Sequence, residues 1–344
     1  MRNQVKKELI QQVLNPLFMK KFFNSRIKRY FPKALAVDEV EIKLRKNFLN
    51  YESLSLEYKL KIKFNSSKRQ KTIQGRLKRT KNCAFDNPRN HYLFLKYLRQ
   101  KGFKKYLVKP LDYLEKYNLL LYENVPGTSF QTLLEKKETD IILNFVPSMA
   151  RLLYKIHHLP ISNKTKFPLK TKNVENSEIR HWLYLLKKYY RPGLLPIKKV
   201  LKRMNYIKRN NFYLFDKVEE YGISHGDIHL GNFLCNGKKI KIIDFSDAYL
   251  YDYFDDIARF LVQLKSMSLF YLGKKHKRFY QKAKQLFLDS YFKKGINQDD
   301  KIKIRYFALR NLVQITANLI FLEKNKKSKR KIIEKLKLIS QDYW

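Results

Sequence analysis

The stretch from Ile223 to Ala248, ISHGDIHLGNFLCNGKKIKIIDFSDA, constrains this chain more than any other, because it sets three oxygen-bearing side chains around a hairpin. Asp227 lies in a polar loop flanked by His225 and His229, Asn232 follows five residues later, and Asp244 ends an apolar run twelve residues further on. Phe233, Leu234 and Cys235 read as a short strand, Asn236-Gly237 as the two positive-φ residues of a tight turn, and Lys239 to Phe245 as the returning strand. Such a hairpin would bring Asn232 and Asp244 toward the same end of a two-stranded ribbon. Asp, Asn and His are also ordinary turn residues, so none of them argues alone. The signal is their order: H-G-D, Asn at the fifth place, a hairpin, an Asp at a strand end, and a further acidic cluster.

That order suits phosphoryl transfer, in which a protein positions an acceptor hydroxyl and holds a divalent cation on nucleotide phosphates. Asp227 would accept the hydroxyl proton, and Asn232 and Asp244 would be oxygen ligands of Mg2+, a hard cation that keeps waters and phosphates as its other partners. The string His225-Gly226-Asp227-x-His229-x-x-Asn232, followed by Ile242-Ile243-Asp244-Phe245, resembles the aminoglycoside phosphotransferase and choline kinase family, with Gly226 where protein kinases carry Arg. The resemblance implies an α+β, bilobal protein-kinase-like fold, with a small antiparallel-sheet lobe and a larger, mainly helical lobe. It implies ATP and Mg2+ as cofactors, and it makes His225, His229 and Asp256 supports of the catalytic loop.

Bulk properties agree with two lobes, since 344 residues exceed what one small core usually fills. The two cysteines, Cys83 and Cys235, are far apart and belong to no C-x-x-C pair or metal cluster, which fits a reducing, cytoplasmic compartment. The formal charge of +44 would draw nucleotides, phosphorylated sugars, nucleic acid or an anionic membrane surface, without choosing among them. Many of the lysines accompany Asn, Ile, Tyr and Phe, all residues of A/T-rich codons. Genome composition therefore explains part of the excess as readily as an anionic partner does. No apolar run approaches the ~20 residues of a spanning helix, so the expected location is cytoplasmic, with peripheral membrane contact as the variant.

Residues 1–36 read as a basic helical extension packed on the small lobe, in preference to a membrane-surface helix. The small lobe is expected over 37–122, opening with strands at Val37 to Phe48, Leu54 to Phe64 and Lys71 to Arg79. On the third strand Arg76 and Lys78 share a face by period two, and the resemblance implies that one of them grips the nucleotide phosphates, Lys78 being the first choice. Two departures stand out. Asn47 to Ser53 contains no glycine where many kinases have a glycine-rich loop, and the expected helix Asn87 to Lys101 has no acid, with His91 near the turn where a glutamate would pair the strand cation. Strands at Leu107 to Tyr113 and Leu119 to Tyr122 lead into Glu123-Asn124-Val125-Pro126-Gly127, where the resemblance implies that backbone near Glu123 and Val125 meets the adenine edge.

The large lobe is expected over 123–344, with helices at Ile141 to His158, Ser177 to Tyr190 and Ile197 to Tyr221 ahead of the catalytic loop. His157-His158 reads as a capping or surface pair, because adjacent helical residues face different ways. The segment around Trp182, rich in Arg, Lys and Tyr, hints at an anionic or sugar-like acceptor. After Asp244, Ser246 stands where many kinases have Gly, and Asp252 and Asp256 match the family's downstream acidic pattern. No long phosphorylatable segment follows Asp244, which argues against a regulated protein kinase. The expected function is ATP- and Mg2+-dependent phosphorylation of a hydroxyl on a small molecule or saccharide, such as an aminoglycoside, choline-like or lipopolysaccharide-sugar acceptor. The alternatives are an atypical protein kinase and a catalytically impaired module that binds nucleic acid or a membrane surface through its charge.

Overall fold

Alternation of aliphatic and aromatic residues with lysines builds the first of two units in this computed structural model, which describes residues 5–48, 52–80, 87–161, 167–215 and 217–341. That unit comprises Met1–Gly127 and Lys241–Ala248, and the second comprises Thr128–Ile240 and Tyr249–Trp344. The expected glycine-free turn, together with Cys83 and Asp86, lies wholly or partly outside the described residues.

In the first unit, helices α1 (Lys7–Val13) and α2 (Pro16–Tyr30) precede strands β1 (Ala36–Phe48), β2 (Ser53–Lys63) and β3 (Lys68–Lys78). Helix α3 (Pro88–Gln100) and strands β4 (Pro110–Leu114) and β5 (Leu119–Glu123) follow, giving an antiparallel sheet of order β1-β2-β3-β5-β4. Along β2, Leu54, Leu56, Tyr58, Leu60 and Ile62 are all fully buried, each contributing about 1.5–3 kcal/mol of burial. They meet Met19, Phe23, Ile27 and Tyr30 of α2 in one core cluster, so the apolar stripe of the extension covers the sheet and is not offered to a membrane. Asn24 of α2 clamps the start of β1, accepting from the Val37 amide at 2.7 Å and donating to its carbonyl at 3.0 Å.

The second unit opens with β6 (Thr128–Ser129) and helices α4 (Phe130–Glu135), α5 (Thr139–His157), α6 (Lys172–Tyr189) and α7 (Leu194–Asn210). Strands β7 (Gly222–Ser224), β8 (Phe233–Asn236), β9 (Lys239–Ile242, of which Lys241 and Ile242 count with the first unit) and β10 (Tyr249–Tyr251) follow, with helices α8 (Phe254–Leu272), α9 (His276–Tyr291), α10 (Gln298–Leu322) and α11 (Lys326–Ser340). Strand β10 pairs β7, and β8 lies between β6 and β9. Helix α10 buries residues around most of its circumference, as a central helix must.

Three sequence expectations are corrected. The helix expected to reach Tyr221 stops at Asn210, because Asn211 leaves the helical region (φ −136°) and its side-chain amide turns back to the Ile207 carbonyl at 2.9 Å. Asn236 stays in β8, and among the two expected turn residues only Gly237 has positive φ, at +55°, since glycine enters that region without the Cβ clash that asparagine meets. Strand β9 ends at Ile242 and not at Phe245, because Asp244 has φ +64°, which an extended strand cannot continue through.

Candidate active site

In the second unit the loop that follows β7 is fixed by one buried carboxylate. Asp256, in the first turn of α8 and fully buried, accepts the His225 amide on Oδ2 at 2.6 Å and the Gly226 amide on Oδ1 at 3.0 Å. The same Oδ2 lies 3.1 Å from His157 Nε2, and His157 Nδ1 is 2.7 Å from the Tyr291 hydroxyl. Burial raises the Tyr291 pKa far above the usual phenol range, so its hydroxyl stays protonated. Burial by itself would raise the Asp256 pKa. The hydrogen bond and charge of His157 and the His225 amide outweigh it and hold the carboxyl below the usual range. His157 is therefore buried and supports the loop after β7, contrary to the capping or surface role expected from its adjacency to His158. At Gly222 a Cβ would stand 2.1 Å from the His157 carbonyl oxygen, so β7 approaches the end of α5 more closely than any side chain allows.

Asp227 is held from both sides. Its Oδ1 accepts from Arg259 Nη2 at 2.7 Å, and its Oδ2 lies 3.5 Å from His229 Nε2. His229 Nδ1 accepts the Gly231 amide at 3.0 Å, which leaves Nε2 as the ring's donor toward Asp227. The ring packs so closely on Gly231 that a Cβ there would lie 2.7 Å from it. Asn232 donates its side-chain amide to the Asp227 carbonyl at 2.9 Å, which turns its carboxamide oxygen the other way. Arg259, three residues after Asp256 on α8, was not singled out from the sequence; its signal is the D-I-A-R string, whose helical spacing puts Asp256 and Arg259 on one face.

In the first unit Asp244 takes its left-handed conformation just after β9 and accepts the Ser246 hydroxyl at 2.7 Å. His91 of α3 stands where a glutamate was sought, with Nδ1 3.9 Å from Asp244 Oδ1 and its ring tilted on Tyr122 at 5.7 Å. The α3 start is tied to the same loop by the Asn87 amide, which donates to the Ser246 carbonyl at 3.0 Å. Burial raises the Tyr122 pKa, the Asp244 charge adds to it and Arg76 opposes it, so Arg76 and Asp244 act on one phenol. Arg76 also donates to Ser55 Oγ at 2.8 Å. Lys78 sits at the end of β3, opposite Ser53. The Glu123 amide is committed to the Lys109 carbonyl at 3.0 Å, and Val125 follows β5.

The donors fit Mg2+ chemically. Asn232 in the second unit and Asp244 in the first each carry a hard oxygen of the kind Mg2+ prefers, and among the described residues no group of three or more His, Cys, Asp or Glu could hold a metal by itself. Trp182 itself belongs to the core: it is buried against Arg310, which it faces at 5.3 Å, and the fully buried Arg310 pairs with Glu178 and with Asp255 at 2.9 Å, while Tyr184, Lys187 and Lys188 of the same helix remain exposed.

The sheet-and-helix fold and the loop held by Asp256 define a protein-kinase-like phosphotransferase. The model of the phosphotransferase enzyme family, which carries the aminoglycoside phosphotransferases' name, matches residues 81–273, more than half of the chain, and the chain belongs to that family. It is thus a kinase with an alcohol group as acceptor. A search of curated proteins found no match. Among solved structures, a spectinomycin phosphotransferase in complex with ADP and spectinomycin is 14% identical, with TM-score 0.60, covering 96% of this chain and 97% of that one. A choline/ethanolamine kinase family protein from Mesorhizobium loti is 13% identical, with TM-score 0.59 and 87% of each chain covered. An amicoumacin kinase in complex with AMP-PNP, Ca2+ and Ami is 15% identical, with TM-score 0.59 and 88% of each chain covered. At these identities the likeness is one of fold.

Proposed function

We propose that this protein transfers the γ-phosphoryl group of ATP, with Mg2+, to a hydroxyl of a saccharide-like small molecule. The observation that carries the reading is the Asp227 carboxylate, oriented by Arg259 at 2.7 Å on a loop that Asp256 holds by two backbone amides. Asp227 takes the proton of the acceptor hydroxyl as the acceptor oxygen bonds to the γ-phosphorus and the bond from that phosphorus to the ADP leaving oxygen breaks. Asn232 and Asp244 bind Mg2+, which when present neutralises charge on the phosphate oxygens. Arg76 or Lys78, which share a face of β3, is the phosphate cation. The carbonyl of Glu123 and the backbone of Val125 meet the adenine edge, His225 and His229 keep the loop in shape, and Asp256 anchors it. The saccharide-like acceptor is favoured by the high positive charge, which suits a phosphorylated or acidic sugar, and spectinomycin in the first neighbour is a precedent for a polyhydroxyl ligand on this fold.

The test is ATP turnover with Mg2+ against aminoglycosides, choline-like amines, sugars and lipopolysaccharide fragments, with Asp227→Asn in parallel. Acceptor-dependent turnover that falls about 10²–10⁴-fold in the variant is the expected result. Turnover unchanged by the substitution would remove Asp227 from the reaction.

A further inference from the structure

A groove of about 760 Å³ opens in the second unit where the start of α5 meets the junction of α8 and α9. His157 at the end of α5 and Asp256 at the start of α8 both belong to the catalytic loop's support, and the groove lies at the opposite ends of these two helices. At 1.5 Å per residue, the groove is roughly 25 Å from that loop. Five cations line it, Lys137, Lys274, Lys275, Arg278 and Lys282, against the single carboxylate of Asp140, so its rim carries a net charge of +4. Among the described residues none of the five is within ion-pair distance of a carboxylate, so the charge of the rim is not neutralised internally.

The placement also runs against local stability. Lys274 and Lys275 lie just before α9 and Arg278 lies in its first turn, which has no acid, and the partial positive charge of a helix start disfavours cations there. Positions that break a local rule without an internal compensation are where a function is expected. An anion between the two helices would supply the missing compensation. The volume is that of a small-molecule site, and the apolar floor of Leu143 and Phe279 gives it depth.

We infer that this groove is a second ligand site, separate from the catalytic loop, that binds a small anion bearing at least two phosphate groups. Two phosphates carry about −3 to −4 at neutral pH and so match the rim charge. Guanidinium and ammonium groups on opposite walls give both phosphates charge-assisted hydrogen bonds.

The experiment is calorimetric titration of the full chain with tripolyphosphate at about 150 mM salt, where non-specific attraction is largely screened. Wild type is compared with Lys274→Gln/Arg278→Gln, with Lys275→Gln/Lys282→Gln, and with Lys198→Gln/Lys202→Gln, an equal loss of exposed charge on α7. All six side chains are exposed, so the variants fold, which their thermal midpoints check. The expected result is a loss of about tenfold or more in affinity for both groove variants, with the α7 variant within twofold of wild type. Vesicles of phosphatidylcholine with about 20% phosphatidylinositol bisphosphate identify the source: groove-dependent capture marks a lipid headgroup, and binding of free tripolyphosphate without capture marks a soluble ligand. Equal losses in groove and α7 variants, or no binding by wild type to either probe, overturn the inference.

Discussion

Arg259 Nη2 donates to Asp227 Oδ1 across 2.7 Å, while its Nη1 is held by Gln314 at 2.8 Å and Asn311 at 3.3 Å. The proposed base is thereby referenced to α10 through a planar fork, and not merely to its own loop. Arg259→Ala is expected to lower kcat about 10²-fold while changing KM for ATP little, because misorienting a reacting group penalises the transition state more than ground-state binding. Arg259→Lys recovers only a small part, since an ammonium group cannot hold three partners in one plane. Steady-state kinetics decide it, and a rise in KM with unchanged kcat would assign Arg259 to binding instead.

Asp256 is the anchor of the same loop. Asp256→Ala leaves two amides and His157 without their acceptor inside the unit, and destabilisation of about 3–5 kcal/mol is expected from urea unfolding. Asp256→Asn retains one acceptor oxygen and loses less. The folded-state pKa of Asp256 is depressed, so its stabilisation is present above the unfolded carboxylate value of about 3.9 and is lost as pH falls through the lower folded value. Wild-type and Asp256→Asn stabilities should converge only in that acid range.

Ser246 donates to Asp244 at 2.7 Å and so fixes one oxygen of the proposed metal ligand. Ser246→Ala is expected to weaken Mg2+ activation about 10–100-fold, read as the Mg2+ concentration for half-maximal turnover, with the thermal midpoint nearly unchanged. An unaltered Mg2+ requirement would detach Asp244 from metal binding.

Lys265 is a buried cation between α8 and α9 whose pKa is lowered to about 8, first by burial and then by Lys284. Between that value and the unfolded one near 10.4 the unfolded chain binds more protons, so stability rises with pH across this window. Lys265→Met is expected to raise the thermal midpoint at pH 7, with the gap to wild type closing toward about pH 10. A gap independent of pH would mean that packing alone, and not the charge, is responsible.

The legible part of the site was local. H-G-D-x-H-x-x-N, the strand-end Asp244 and the D-I-A string were readable because each is set by short-range spacing, and the sheet was readable because β2 alternates strictly. The turn at Gly237 and the stop at Asn211 were misplaced by a residue or by a helix length, since Asn competes for both roles and only the surrounding backbone settles which it takes.

By itself, the sequence determined most of the order of the elements, the loop and strand-end residues proposed as ligands, and the family, because periodicity and loop chemistry are written in neighbouring residues. Only the tertiary structure decided that His157 supports the loop and not the surface, that Arg259 orients Asp227, and that Trp182 is core. Each of these joins residues distant in the chain, and the low dielectric of a packed interior makes such pairings strong only once folding has excluded water from them.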